Sequence, residues 1–151
     1  MHKAVLMDLD VRSDCCKISY DASNAHNEFD RHEATLAVQR AIPELLPWAR
    51  TSLSTTAVHV HVGSDGHSLQ VPKERGGDQG DALTNLLFPL TYQSVSRDVS
   101  ESVHAMGGVA RCYAYQDDME EVCPPHCIAQ SAAAFPLSCS KIGLRCDQFG
   151  R

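Results

Sequence analysis

The sequence predicts an α+β fold in which an antiparallel sheet carries helices packed on one face. The first indication is the order of the predicted elements, which runs strand, helices, hairpin, helix, hairpin, helix. The second is that most predicted strands come in pairs joined by short turns, as in antiparallel sheets. The third is the composition: 151 residues with 43% hydrophobic and 21% charged residues suit one soluble domain.

The first strand is predicted at Cys16–Tyr20, where polar and apolar residues alternate before the chain reaches Asp21. A helix is predicted over 33–42, because apolar residues recur there at helical spacing and Asp30 can cap its start. A proline then interrupts the pattern, and a second short helix is predicted over 44–52.

A hairpin is predicted from alternating residues over 56–62 and 67–71, followed by a glycine-containing loop over 72–80. A long helix is predicted over 81–102, and Pro89 within it is expected to kink or shorten it. The buried side of this helix is predicted to carry Leu83, Leu86, Leu87 and Leu90.

A second hairpin is predicted with strands over 109–115 and 119–123 and a tight turn between them. Two prolines end it, and an alanine-rich helix is predicted over 126–138.

Charge and hydropathy exclude several classes of protein. A formal net charge of −6 excludes a strongly basic nucleic-acid module, although nucleic acid held through metal ions stays possible as a substrate. No apolar run approaches the roughly 20 residues that a membrane helix needs. The seven cysteines form no regular framework and no export signal precedes them, so reduced thiols and an intracellular location are expected.

Two adjacent carboxylates, Asp117 and Asp118, fall in the tight turn of the second hairpin. Like charges raise each other's pKa, and a divalent cation such as Mg²⁺ relieves that conflict. An Asp-rich solvated turn is the alternative interpretation. If the strand before Asp21 lies beside this hairpin, three carboxylates converge and could hold two metal ions about 3.5–4 Å apart.

A glycine loop, Gly76-Gly77-Asp78-Gln79-Gly80, leads directly into the long helix. Glycines allow a close approach of the backbone to a ligand, and a helix N-terminus favours anions. Asp81 is also a good helix cap, which is the simpler interpretation. The amide of Gln79 can hydrogen-bond a base or a sugar.

Four segments in this order resemble motifs of the reverse-transcriptase palm of the non-LTR retrotransposon type. The run Asp21-Ala22-Ser23-Asn24-Ala25-His26-Asn27 resembles motif A, which in the family reads Asp-x-x-Asn-Ala-Phe-Asn. Motif B is similar to the run that begins Gln79-Gly80-Asp81-Ala82-Leu83. The run Tyr115-Gln116-Asp117-Asp118 matches the Tyr-x-Asp-Asp box, and Ile142-Gly143-Leu144-Arg145 resembles the start of motif D.

The resemblance implies that Asp21, Asp117 and Asp118 are the catalytic carboxylates and hold two Mg²⁺ or Mn²⁺ ions. It implies contacts to nucleotide and template at Ala22, Asn24, Ala25, His26, Gln79, Gly80 and Tyr115. The implied partners are an RNA template, a DNA primer and deoxynucleoside triphosphates, with no membrane. The expected domain is a single partial one over 1–151, a palm running from motif A to the start of motif D, with the fingers largely missing and the thumb missing.

The sequence departs from the family at several positions. His26 stands where an aromatic ring blocks the ribose 2′-hydroxyl, and Ala82 replaces the motif B proline. Glu120 and Glu121 follow the box where apolar strand residues are usual. Two functions therefore stay open: a palm fragment for RNA-templated nucleotidyl transfer that is inactive in isolation, and a remnant that keeps the palm fold and at most binds Mg²⁺. A small α+β protein with coincidental motifs is the third alternative.

Two other groups of residues suggest metal binding or covalent chemistry. His59, His61 and His67 could form a zinc cluster, but no fourth ligand stands nearby, so polar histidines on a hairpin are expected. The run Cys123-Pro124-Pro125-His126-Cys127 lacks a second ligand pair at finger spacing. Cys112 is expected in the core or on the sheet rather than as a nucleophile.

Overall fold

The computed structural model describes residues 1–54, 57–78 and 80–146. Its helices and strands follow in the order α1 (His2–Val11), β1 (Cys16–Tyr20), α2 (Ala25–Glu28), α3 (Arg31–Ala41), α4 (Leu46–Ser54), β2 (Ala57–Val62), β3 (Ser68–Lys73), α5 (Ala82–Ala105), β4 (Arg111–Tyr115), β5 (Asp118–Cys123) and α6 (Ile128–Lys141). Single 3₁₀ turns at Pro43–Leu45 and Pro125–Cys127 precede α4 and α6. The α+β class is confirmed, and the elements predicted from the sequence are found with bounds shifted by at most three residues.

The main sheet has the strand order β1-β5-β4, with both neighbouring pairs antiparallel. The central strand β5 pairs along its length with β1, from Cys16 opposite Cys123 to Tyr20 opposite Met119. Met119, Val122 and Cys123 of β5 are fully buried, as expected for a strand covered on both faces.

Helices α5 and α6 cover one face of this sheet. The Ser96 hydroxyl of α5 contacts the Met119 sulfur at 3.3 Å. On α6, Phe135 stacks on Tyr20 of β1 with ring centroids 4.4 Å apart. The predicted packing of helices on this face is therefore observed.

Helix α1 was not predicted from the sequence. Its Asp8 carboxylate is buried and accepts a 2.8 Å hydrogen bond from Arg111 of β4, which stands opposite Val122 in the ladder. Helix α1 thus lies against the sheet face that Arg111 and Val122 share, away from α5 and α6. Because only Val5 and Asp8 of α1 are buried, the segment lacks the apolar stripe that identifies an amphipathic helix.

Helix α5 runs through Pro89 for 24 residues, so the expectation that Pro89 shortens it is wrong. Asp81 caps it as predicted, since its carboxylate accepts from the Leu83 backbone N–H at 3.3 Å. The predicted leucine stripe is only partly buried, because Leu86 is 36% exposed. The fully buried positions continue further along the helix, at Leu87, Phe88, Tyr92, Val95, Val99 and Val103.

Strands β2 and β3 form a separate two-stranded sheet. Its apolar side chains are exposed on both faces: Val60 and Leu69 expose 57% and 64% of their surface, respectively. The predicted alternation of valine and histidine is present, but neither face is buried. Among the described residues, no helix is long and apolar enough to cross a membrane.

Candidate active site

The strand register brings the three predicted carboxylates to one edge of the main sheet. The β1–β5 ladder ends with Tyr20 opposite Met119, so Asp21 leaves β1 where Asp118 begins β5. The β4–β5 hairpin closes with Tyr115 opposite Asp118, which leaves Asp117 in its two-residue loop. The neighbour relation that the sequence analysis required between the Asp21 strand and the Asp117 hairpin is therefore present.

The loop of this hairpin has an unusual backbone. Gln116 has a φ of +55°, a region that a non-glycine residue rarely adopts. Asn24, in the motif A segment, has a φ of +52°. Asparagine tolerates this conformation better than glutamine does. Such backbone outliers cluster at functional sites, where the surrounding structure holds them in place.

The carboxylates differ in exposure: Asp21 and Asp118 are exposed, whereas Asp117 is half-buried. Tyr92 of α5 is 1% exposed, and it lines a groove together with Gln116, the residue before Asp117. Its ring therefore lies beside the loop that carries this carboxylate. Burial, above all, raises the pKa of the Tyr92 hydroxyl, and electrostatic interactions with Cys139, Cys146, Asp117 and Asp21 raise it further.

The donor set suits a hard divalent cation. In the described ranges, no three His, Cys, Asp or Glu side chains lie close enough together to hold a metal ion between them. Mg²⁺, however, is commonly held by one or two carboxylates, with water and substrate phosphates completing its shell. The buried Tyr92 hydroxyl has no hydrogen-bond partner among the described residues. Carboxylate oxygens with access to solvent therefore fit such an ion.

The motif A segment offers its backbone rather than its side chains. Ala22 and Ala25 are each 1% exposed and belong to the core. The side chain of Asn24 accepts a 2.7 Å hydrogen bond from Asn27, which fixes the short turn of α2. At Ala22 and Ala25, therefore, only the peptide groups can approach a ligand.

His26 packs against α5. It is 7% exposed, its ring lies 4.7 Å from that of Phe88, and Phe88 in turn lies 5.3 Å from Tyr92. A continuous row of rings thus runs from motif A to Tyr92 of α5. The predicted role of His26 as the ring that excludes the ribose 2′-hydroxyl stays a prediction.

The glycine loop packs on the motif A segment. The N–H of Gly76 donates to Phe29 O at 2.9 Å, and that of Gly77 donates to His26 O at 2.8 Å. A Cβ atom on Gly76 would lie 2.3 Å from the Asn27 carbonyl carbon. These two glycines allow contact between protein segments rather than with a ligand.

Gly80 differs from the other glycines of this loop. It has a φ of +93° and open space around it, so its backbone is the part of the loop that a ligand can approach. Gln79, the predicted amide contact, lies outside the described residues. Tyr115, the predicted neighbour of the primer end, is 66% exposed at the end of β4.

The motif D-like segment lies beside motif A. The Ser23 N–H donates to Arg145 O at 3.2 Å, and the Asp30 N–H donates to Ile142 O at 2.8 Å. Both ends of this segment are therefore hydrogen-bonded to the residues on either side of α2, the short helix that follows Asp21.

The two glutamates that depart from the family both have partners. Glu120 accepts from Lys17 at 2.7 Å. Glu121 is fully buried, and its carboxylate accepts from the Tyr20 hydroxyl at 2.9 Å and from the Ser131 hydroxyl. Sequence reasoning missed this network and Tyr92. The network could have been suspected from the sequence, because Glu121 is a charged residue within a predicted strand. The sequence around Tyr92 contains no such signal.

The other candidates do not form sites. His59 on β2 lies 3.4 Å from Asp78, and Lys73 also pairs with that carboxylate, which ties the hairpin to the glycine loop. Burial raises the pKa of Cys112 to about 11 and that of Cys123 to about 12, so neither thiol is an activated nucleophile. All seven cysteines, each within the described residues, are free thiols.

Comparison with known proteins shows similarity in fold alone. No protein-family model matches the sequence, and no curated protein matches it. A telomerase structure from Candida albicans, in complex with a fragment of telomeric RNA, superposes with a TM-score of 0.69 at 10% identity over 92% of this chain. Apo telomerase from Candida tropicalis superposes with a TM-score of 0.68 at 14% identity over 95% of this chain. The chain spans 28% and 33% of the length of these two proteins. The chain therefore shares the fold of the matched part of these two telomerases.

Proposed function

We propose that this chain is the palm portion of a reverse transcriptase that adds deoxynucleotides to a primer on an RNA template. The observation that carries the proposal is the strand register, which brings Asp21, Asp117 and Asp118 to one edge of the sheet. The telomerase-like fold supports the polymerase class. The residues found at motifs A and B favour the non-LTR retrotransposon type within the polymerase class.

The catalytic residues of the proposal are the three carboxylates. Asp21 and Asp117 would hold two Mg²⁺ or Mn²⁺ ions, with Asp118 beside them. Bound ions would lower the pKa of the primer 3′-hydroxyl and neutralise charge on the pyrophosphate leaving group. The rest of the chain positions the nucleotide. In this proposal, the peptide groups of Asn24 and Ala25 and the open backbone at Gly80 face it.

Metal binding tests the proposal most directly. Calorimetric titration of the chain with Mg²⁺ or Mn²⁺, alone and with a deoxynucleoside triphosphate, is expected to show binding that Asp117→Ala abolishes. Asp10→Ala, which removes an exposed carboxylate on α1, is the matched control and should leave binding unchanged.

The alternative function, a remnant that keeps the fold, predicts a different result. If the folded wild-type chain binds neither ion with the triphosphate present, up to millimolar metal, the catalytic proposal fails. Glu120 pairs with Lys17 and Glu121 with Tyr20, which weakens one argument for decay, but each carboxylate also keeps one buried oxygen without a partner among the described residues.

A further inference from the structure

Tyr92 has a buried hydroxyl that no other part of the described structure satisfies. The residue is 1% exposed, and its oxygen has no hydrogen-bond partner among the described residues. Leaving a buried hydroxyl unpaired destabilises a fold, and native structures rarely do so without a reason. The other deeply buried tyrosine shows the contrast, because the Tyr20 hydroxyl contacts both Glu121 and Ser131.

The ring of Tyr92 is held firmly in place. It stacks on Phe88 one turn earlier in α5, with ring centroids 5.3 Å apart, and Phe88 contacts His26. One side of Tyr92 lines a groove of about 490 Å³ between α5 and the β4–β5 hairpin, which also contains Gln116 and Ala114. The ring therefore reaches from the helix layer to the hairpin loop that carries Asp117.

The charges around the hydroxyl determine what it can do. Asp117 and Asp21 are among the groups that raise its pKa, after burial and the two thiols Cys139 and Cys146. The hydroxyl therefore stays protonated and acts as a hydrogen-bond donor. The nearby groups best suited to accept from it are carboxylate oxygens, since bonds to a charged acceptor are the stronger ones.

We propose that Tyr92 is a positioning residue of the candidate active site, whose hydroxyl donates a hydrogen bond to the Asp117 carboxylate when a divalent cation is bound. This inference rests on the proposed function and adds to it a residue outside the four motifs. A hydrogen bond to one carboxylate oxygen fixes the direction in which the other oxygen faces the cation. Partners of this kind typically change metal affinity about 10–100-fold.

The test compares Tyr92→Phe with the wild-type chain in two measurements. Thermal unfolding without metal reports whether the hydroxyl has a structural partner. Titration with Mn²⁺ and a deoxynucleoside triphosphate, followed by the electron paramagnetic resonance signal of free Mn²⁺, reports metal affinity. Tyr113→Phe is the matched control: Tyr113 lies opposite Glu120 in the ladder, and its neighbour Cys112 faces α5, so its ring lies on the other sheet face.

The expected result is an unchanged or higher unfolding temperature for Tyr92→Phe without metal, together with a Mn²⁺ affinity lowered on the order of tenfold. Tyr113→Phe should keep the wild-type affinity. Equal affinities of Tyr92→Phe and wild type would overturn the positioning role, and so would a clear loss of stability without metal. If the wild-type chain binds no Mn²⁺ at all, the proposed function itself fails and the role of Tyr92 fails with it.

Discussion

Gln116 shows how a single residue can be held in an unfavourable conformation at the candidate site. Its φ of +55° places a side chain with a Cβ in a region where glycine is favoured, at the first of two loop residues. The paired strands on either side fix this loop, so the fold rather than Gln116 itself determines the conformation. The strain lies beside Asp117, the carboxylate on which the proposed chemistry depends.

Gln116→Gly is therefore expected to stabilise the chain. Relief of the left-handed backbone outweighs the added freedom of the unfolded chain, and the free energy of unfolding should rise by about 0.5–1 kcal/mol. Urea denaturation measures the change. Gln93→Gly, on the exposed side of α5, is the control and should lower stability by about 1 kcal/mol. A loss of stability in Gln116→Gly would show that the glutamine side chain holds the loop.

The residues that could be predicted from the sequence were those with a local signal. The catalytic role of Asp21, Asp117 and Asp118 stays a prediction, but all three were singled out from the sequence, because two adjacent carboxylates fall at a predicted turn and the third follows a predicted strand. Tyr92 was not, because a tyrosine within an apolar helix is ordinarily a core residue and only the packing of α5 shows its hydroxyl to be unpaired. The burial of Glu121 depends in the same way on its place in the central strand.

The contact between the glycine loop and helix α5 is close enough to exclude a side chain. A Cβ atom on Gly77 would lie 1.9 Å from the Thr84 Oγ1 atom. The Thr84 hydroxyl also donates to the Asp81 carboxylate at 3.3 Å, so its position is fixed by the start of α5. Since the Gly77 N–H donates to His26 O, the loop joins α2 to α5.

Gly77→Ala is expected to lower the free energy of unfolding by about 1–3 kcal/mol, because the loop or Thr84 must move. Thermal or urea unfolding gives the value. Gly66→Ala is a suitable control. Gly66 has a φ of +80°, but a Cβ atom there would meet nothing within 4 Å, so any loss of stability comes from the backbone alone. Equal losses at the two positions would show that the loop yields to the added methyl group without resistance.

Helices and strands with a periodic pattern of apolar residues were predicted close to their observed bounds. Where the prediction failed, tertiary contacts determined the structure. Strands β1 and β5 were found within one residue of their predicted bounds. Helix α1 was missed because it is fixed by the ion pair from Asp8 to Arg111, a contact 103 residues apart in the chain that no local pattern shows. Helix α5 continues past Pro89 because the first turns after its Asp81 cap are already packed in the core.

The molecule consists of a sheet joined to a helix layer through polar as well as apolar contacts. Tyr20 of β1, Glu121 of β5 and Ser131 of α6 form one buried hydrogen-bonded group. Glu121 Oε2 accepts both hydrogen bonds, whereas Oε1 has no partner among the described residues. Tyr20 of this group directly precedes Asp21, so the group fixes the end of β1 from which that carboxylate leaves.

Replacement of Glu121 should therefore weaken the whole fold. Glu121→Ala removes the acceptor and leaves a cavity, and the free energy of unfolding should fall by about 2–4 kcal/mol. Glu121→Gln keeps the shape and one acceptor oxygen, so its loss should be smaller. Circular dichroism during urea denaturation measures both variants. If both variants lower the free energy of unfolding by the same amount, the hydrogen bonds to Glu121 do not stabilise the fold beyond the packing of its side chain.

The pairing of β1 with β5 also determines when the candidate site can form during folding. The hydrogen bond from the Cys16 thiol to the Cys123 carbonyl oxygen joins residues 107 positions apart, one of the most non-local contacts among the described residues. Such contacts form late, because the entropy of loop closure opposes them until the partner is present. At a synthesis rate of about 5–20 residues per second, β1 waits for its partner for roughly 5–20 s. The proposed cation site needs this pairing, so metal binding by a nascent chain would report the arrival of β5.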